Sequence, residues 1–237
     1  MKRATLLTDF GTRDGYVAAM KGVITGIAPD SIVDDATHDI PHGDILAAAF
    51  ALRRYWHHYP AGTVHIVVVD PGVGTERAAI AMQAEGRYFV GPDNGVFTFV
   101  PAEHVVQLDV PGGSSNTFHG RDVFAPAAGR LLTGTSLKEL GKELFVRVAL
   151  EIPQASASAG EVIAVDRFGN LITNITVAHD VLINGKVARL QRTYGDVPDG
   201  QLLALINSDG LLEIAVRNGS AAETLGVSRG AVVQLRL

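Results

Sequence analysis

Three residues in this 237-residue chain can do chemistry if the fold gathers them: Asp70, Arg77 and His119. A carboxylate beside a guanidinium stays ionised and is held in a fixed geometry by paired N–H donors. A histidine adds a group that titrates near neutral pH. Together they can position a water molecule and partly deprotonate it. The same residues also fit a plainer arrangement: a strand-end Asp bonding its own turn, an unrelated surface Arg and a helix-capping His. Spacing alone leaves both open. Asp9 is a second candidate, suited either to accept hydrogen bonds from a vicinal diol such as a ribose or to cap a turn or helix.

The elements that must position these groups are legible around them. Residues 66–69 are β-branched and read as a strand buried on both faces of a parallel sheet. Pro71, Gly72 and Gly74 then demand a turn, which puts Asp70 at the carboxyl end of a core strand, where open α/β sheets bind ligands. Residues 4–7 read as an earlier strand ending just before Asp9, and 16–27 as a helix stopped by Pro29. A strand at 31–33 and a helix at 44–59 lead to the strand at 64–69. This alternation implies a parallel sheet with right-handed crossovers. Residues 78–82 and 87–90 read as two strands joined by a turn, and 105–110 as another. After a loop at 111–116, a helix is expected from 122 to 132, with His119 and Arg121 at its entrance, where free N–H groups can meet an anion or polar ligand.

The character then changes. Residues 151–159, with Pro153 and several Ala and Ser, read as a linker. Beyond it, short strands at 161–165, 171–175, 186–190, 202–206, 211–216 and 232–237, separated by Gly, Asn and Asp turns, point to a small barrel or sandwich. The expected architecture is an N-terminal α/β domain with a mainly parallel sheet (1–152), a linker (153–160) and a smaller C-terminal all-β barrel domain (161–237).

Composition narrows the function. At 47% hydrophobic residues a sizeable core is available, and the formal net charge of −5 with no basic cluster argues against nucleic-acid or anionic-membrane surfaces. The absence of cysteine excludes disulfides, thiolate catalysis and Cys-ligated metal. No signal peptide or membrane-spanning run is present, so a cytoplasmic protein is expected. Asn174 and Asn218 match the glycosylation pattern by chance. No Gly-x-Gly-x-x-Gly occurs, which disfavours a dinucleotide cofactor. His38 and His42, with acidic neighbours, resemble a metal cluster, but Pro41 between them prevents a shared helical face, and no metal is expected. His57 and His58 suit a helix end. In the second domain, the turns at 166–170 and 207–213 bring amide, hydroxyl and carboxylate groups beside an aromatic, as a purine and an amino-acid head group would require; hairpin chemistry explains them equally.

Six motifs then fall in order: Leu-Leu-Thr-Asp-Phe-Gly (6–11), Val-Asp-Pro-Gly-Val-Gly-Thr-x-Arg (69–77), Gly-Pro-Asp-Asn-Gly (91–95), Phe-His-Gly-Arg-Asp-x-Phe-Ala-Pro-Ala-Ala (118–128), Asp-x-Phe-Gly-Asn (166–170) and Asn-Ser-x-Gly-x-Leu-Glu (207–213). Over essentially its full length the chain resembles the S-adenosyl-L-methionine hydroxide adenosyltransferases, hydrolases related to the fluorinase and chlorinase. The resemblance implies a homotrimer with active sites between subunits, no cofactor, and attack of water or hydroxide on C5′ of S-adenosylmethionine to release adenosine and methionine. It maps the nucleophile-handling set onto Asp70, Arg77 and His119. Asp9 would bind the ribose, Phe168 and Asn170 the adenosine side, and Asp166, Ser208 and Glu213 the methionine end, with the backbone of Val216 against adenine. An intact Asp, Arg, His set favours hydrolysis over halide transfer. It also disfavours a binding module that leaves the ligand intact. Disposal of the damaged (R) sulfonium epimer is a more reasonable role than destruction of the main methyl donor.

Overall fold

The computed structural model describes residues 2–236. Positions 1 and 237, the outer ends of the two expected domains, lie outside the described residues. The chain divides into two compact units, Met1–Leu150 and Glu151–Leu237.

In the first unit, β1 (Lys2–Thr8), α1 (Tyr16–Ile27), β2 (Ser31–Thr37), α2 (Ile45–Tyr55) and β3 (Val64–Val68) alternate as expected. A hairpin of β4 (Ala79–Ala84) and β5 (Arg87–Pro92) follows, then β6 (His104–Leu108), α3 (Ala125–Thr133) and β7 (Gly141–Glu143). The sheet order is β2-β1-β3-β5-β4-β6-β7. Three pairings are parallel and three antiparallel, so the sheet is mixed; five strands still share one direction, with β4 and β7 opposing them. The two-residue turn Glu85-Gly86, both at positive φ, is what reverses the chain between β4 and β5.

All five residues of β3 are buried. Ile66 and Val68 pack into one core with Met20 and Ile24 of α1 and Leu131 of α3. Val67 and Val69 pack into the other with Ala48 and Leu52 of α2, Trp56 and Phe89. This period of two is why the strand reads as a continuous apolar run. His65 is the polar exception: its Nδ1 bonds Thr5 Oγ1 at 2.9 Å, and burial, reinforced by Arg87, pushes its pKa down to about 3, so the ring is neutral. α1 buries Val17, Met20 and Ile24 at helical spacing. α2 begins at Asp44, whose side chain accepts from the Ala47 N–H at 3.0 Å, and it gives way to a 3-10 turn at Trp56–His58, short of the continuous helix expected to 59. Because β1 lies between β2 and β3 and its flanking helices pack on opposite faces, the carboxyl ends of β1 and β3 border a topological switch point.

The second unit is a closed seven-stranded barrel, β10-β11-β12-β13-β9-β8-β14, built from β8 (Ala159–Val165), β9 (Leu171–Thr173), β10 (Asp180–Ile183), β11 (Lys186–Leu190), β12 (Leu202–Ile206), β13 (Leu212–Val216) and β14 (Val232–Arg236). Val162, Leu171, Val181, Leu212, Ile214 and Val233 fill its interior, joined by Ala221 and Leu225 of α4 (Ala221–Leu225). Among the described residues no helix is long and apolar enough to cross a membrane.

Candidate active site

Parallel register pairs Leu7 with Val67 and Thr8 with Val68, so Asp9 and Asp70 leave neighbouring strands at the same sheet edge. Beyond β3 the chain is fixed at once: Asn94 Nδ2 donates to the Val69 carbonyl at 2.9 Å. The Pro71–Gly74 loop then turns with Val73 N–H on the Asp70 carbonyl. Gly74 sits at φ +77°, and a Cβ there would come within 2.2 Å of the Asn116 carbonyl oxygen. That close approach docks the loop against the segment that leads to His119.

Arg77 folds back onto Asp70. Its Nε lies 2.9 and 3.1 Å from the two carboxylate oxygens, and Nη2 also donates to Oδ2. Both side chains are at least nine-tenths buried. Nη2 further donates to His119 Nδ1 at 3.1 Å. A guanidinium has no lone pair to accept with, so Nδ1 must be the acceptor and the neutral ring carries its proton on Nε2. Burial, and next the Arg77 charge, lower the His119 pKa below its usual value against the opposing pull of Asp70 and Asp122. The guanidinium lies over the Phe124 ring, 5.3 Å from its centroid. Arg77 Nη1 is buried and has no hydrogen-bond partner among the described residues. The three expected residues are thus one cluster: an ionic pair, a neutral imidazole and a spare donor.

Asp9 is also tucked in, accepting from Gly43 N–H at 2.8 Å and standing 3.2 Å from the exposed His42. Its loop is held from both sides by His38, whose Nδ1 bonds Thr8 Oγ1 and whose carbonyl accepts from Gly11 N–H. His38 Nε2 meets Asp35 at 2.9 Å. His38 and His42 therefore serve different carboxylates, and among the described residues no group of three or more acidic or histidine side chains is disposed to hold a metal. Phe10, Tyr16 and Phe118, packed with centroids 5.1 to 6.0 Å apart, line a depression of about 350 Å³ with Ser115, Thr117 and Arg121. Sequence reading did not single out these aromatics as a group, because they come from separate segments.

In the barrel unit, Asp166, Phe168, Asn170 and Val216 share a cavity of about 650 Å³. Asp166 shapes the turn: Oδ1 accepts from the Phe168 and Asn170 N–H groups, and Oδ2 from Asn170 Nδ2. Gly169, at φ +79°, has no room for a Cβ beside Ser220. Phe168 is 72% exposed, its ring free to meet a ligand. Glu213 is buried and bonds the Tyr194 hydroxyl at 2.6 Å and Asn207 Nδ2 at 3.3 Å, so it meets the cavity through Tyr194. Burial, then Glu213, raise the Tyr194 pKa and keep the phenol protonated. Ser208 is exposed on the Asn207–Gly210 turn and is not among the cavity-lining residues. Tyr194 and the 217–220 turn were not anticipated; Arg217 pins the Tyr194 segment through the Gly195 and Val197 carbonyls.

Comparison with known proteins places the chain in a family. The SAM hydroxide adenosyltransferase N-terminal domain matches residues 4–141, and the corresponding C-terminal domain matches 160–234. The (R)-S-adenosyl-L-methionine hydrolase of Thermus thermophilus is 42% identical, covering 99% of this chain and 100% of the relative. That of Salinispora arenicola is 39% identical, covering 94% and 93%. The crystal structure of an uncharacterized conserved protein from Thermotoga maritima superposes with a TM-score of 0.90 at 36% identity, covering 98% of this chain and 100% of that one. The chain belongs to the SAM hydroxide adenosyltransferase family.

Proposed function

We propose that the protein is an (R)-S-adenosyl-L-methionine hydrolase. The observation that carries the reading is the Asp70–Arg77–His119 cluster in a chain aligned end to end with hydrolases. The water oxygen forms a bond to C5′ as the C5′–S bond breaks. The bonding pair goes to sulfur, leaving the methionine thioether, and one water proton is released to solvent, giving adenosine. A sulfonium leaves without a general acid, so the barrier is lowered mainly by positioning the nucleophile. Asp70, held by Arg77 but with lone pairs to spare, accepts the water's hydrogen. His119, with Nδ1 taken, offers Nε2–H as a donor, and Arg77 eases hydroxide-like charge.

Asp9 takes the ribose hydroxyls. Phe168 and Asn170, with the Val216 backbone, take the adenosine side, and Asp166, Ser208 and Glu213 the methionine end. Neither a metal nor a cofactor enters this scheme. The assembly we propose is a cytoplasmic homotrimer with active sites between subunits, which light scattering on the purified protein tests. The reaction is tested by incubating each sulfonium epimer separately, in chloride and in fluoride buffer, and separating the products. Adenosine and methionine from the (R) epimer are expected. A halogenated nucleoside, or ligand recovered intact, overturns the reading.

A further inference from the structure

His119 opens a π turn, Gly120–Phe124, in which the Ala125 N–H reaches back five residues to the Gly120 carbonyl. An isolated π turn inside a helix adds a residue to one turn and is costly enough to be found mostly where a site needs it. Its effect here is a matter of facing. In an α-helix residues four apart share a face, whereas five-residue spacing brings His119 and Phe124 to the same side. Both indeed meet Arg77, His119 edge-on through Nδ1 and Phe124 with its ring face. Phe124 is fully buried, and Gly120 leaves room for the turn, since a Cβ there would crowd Met20 and Phe118. The guanidinium therefore has its edge fixed by Asp70 and His119 and one face fixed by the ring. Nη1 remains the one nitrogen without a partner among the described residues.

We infer that Phe124 is a positioning residue for the hydrolytic reaction, its π face setting the plane of Arg77 so that Asp70 and His119 are held on one rigid frame. The inference rests on the hydrolase reading for its kinetic arm alone. Replacing Phe124 by mono-, tri- and pentafluorophenylalanine weakens the ring's negative face while nearly keeping its volume. We expect kcat on the (R) epimer to fall stepwise, to about a tenth across the series, with KM unchanged and little change in Tm. Phe124→Leu, which lacks the π face, falls at least as far. In parallel, ¹⁵N NMR of the His119 ring reports the tautomer held by Arg77, and the series should erode its preference for Nε2–H. Flat kcat and an unaltered His119 spectrum overturn the inference. If the wild-type protein hydrolyses neither epimer, the proposed function falls, and the NMR arm decides the role of Phe124 by itself.

Discussion

The two units meet the problem of holding a polar ligand in opposite ways. In the first, charge is buried and already paired: Asp70 and Arg77 are at least nine-tenths buried and bonded to each other, with the neutral His119 beside them. In the second, the cavity is large, its aromatic Phe168 is mostly exposed, its lining acid Asp166 is taken up by its own turn, and Glu213 lies behind Tyr194. A preorganised ionic cluster suits the step in which charge moves, because its dipoles need not reorient. A roomy, partly apolar cavity with exposed stacking surface suits capture. The lesson is a division between rate and affinity, and it can be broken by mutation.

The largest effect is expected from Asp70→Asn, which keeps the shape but removes the carboxylate: kcat falls by about 10³-fold, while calorimetry finds adenosine binding nearly unchanged. A comparable loss of binding would erase the division. Next is acidity. Folded His65 stays neutral down to about pH 3, whereas in the unfolded chain it protonates below its ordinary value. Stability from this group is therefore complete above about pH 6.5 and is lost, at up to ~1.4 kcal/mol per pH unit, as pH falls towards 3. The barrel's single histidine, His179, carries no such burial. Hydrogen exchange at pH 7 and pH 4.5 will find the added opening in the first unit, and equal loosening of both would contradict this. Phe168→Ala should raise KM about tenfold through lost stacking and leave kcat alone, as steady-state kinetics will register. The smallest change is Tyr194→Phe, which removes one bond from Glu213: KM rises about threefold, and any larger fall in kcat than in affinity would move Tyr194 into the chemistry.

Much of this was legible because it follows from local rules. β-branched runs ending in Asp-Pro-Gly announced β3 and its loop, and Tyr16–Ile27 was bounded by its own periodicity and by Pro29. What escaped lacks a local signal. β7 is Gly-Lys-Glu, three residues with no apolar partner pattern, and exists because β6 offers it an edge. β10 is short and begins at Asp180, whose carboxylate accepts from Leu190 N–H; only closure of the barrel makes it a strand. The π turn reads in sequence as an ordinary helix start at 122, and the Arg77 that its Phe124 meets is 47 residues away in the chain, beyond the reach of a local pattern. For the site, spacing left the Asp70, Arg77 and His119 cluster open against a plainer arrangement, the family resemblance picked it out, and neither said which way the hydrogen bond between His119 and Arg77 runs.

The mixed sheet has one further consequence, for how copies of this protein can meet. A closed barrel offers no free strand, so among the described residues only β2 and β7 present unpaired backbone edges. β2 carries Asp34 and Asp35, tied to Arg3 and Lys21, and β7 is three residues long with Lys142 and Glu143. Acidic side chains on the first edge and the shortness of the second discourage strand addition and guard against runaway fibrous stacking. An assembly of this chain therefore draws on side-chain surfaces rather than on strand addition.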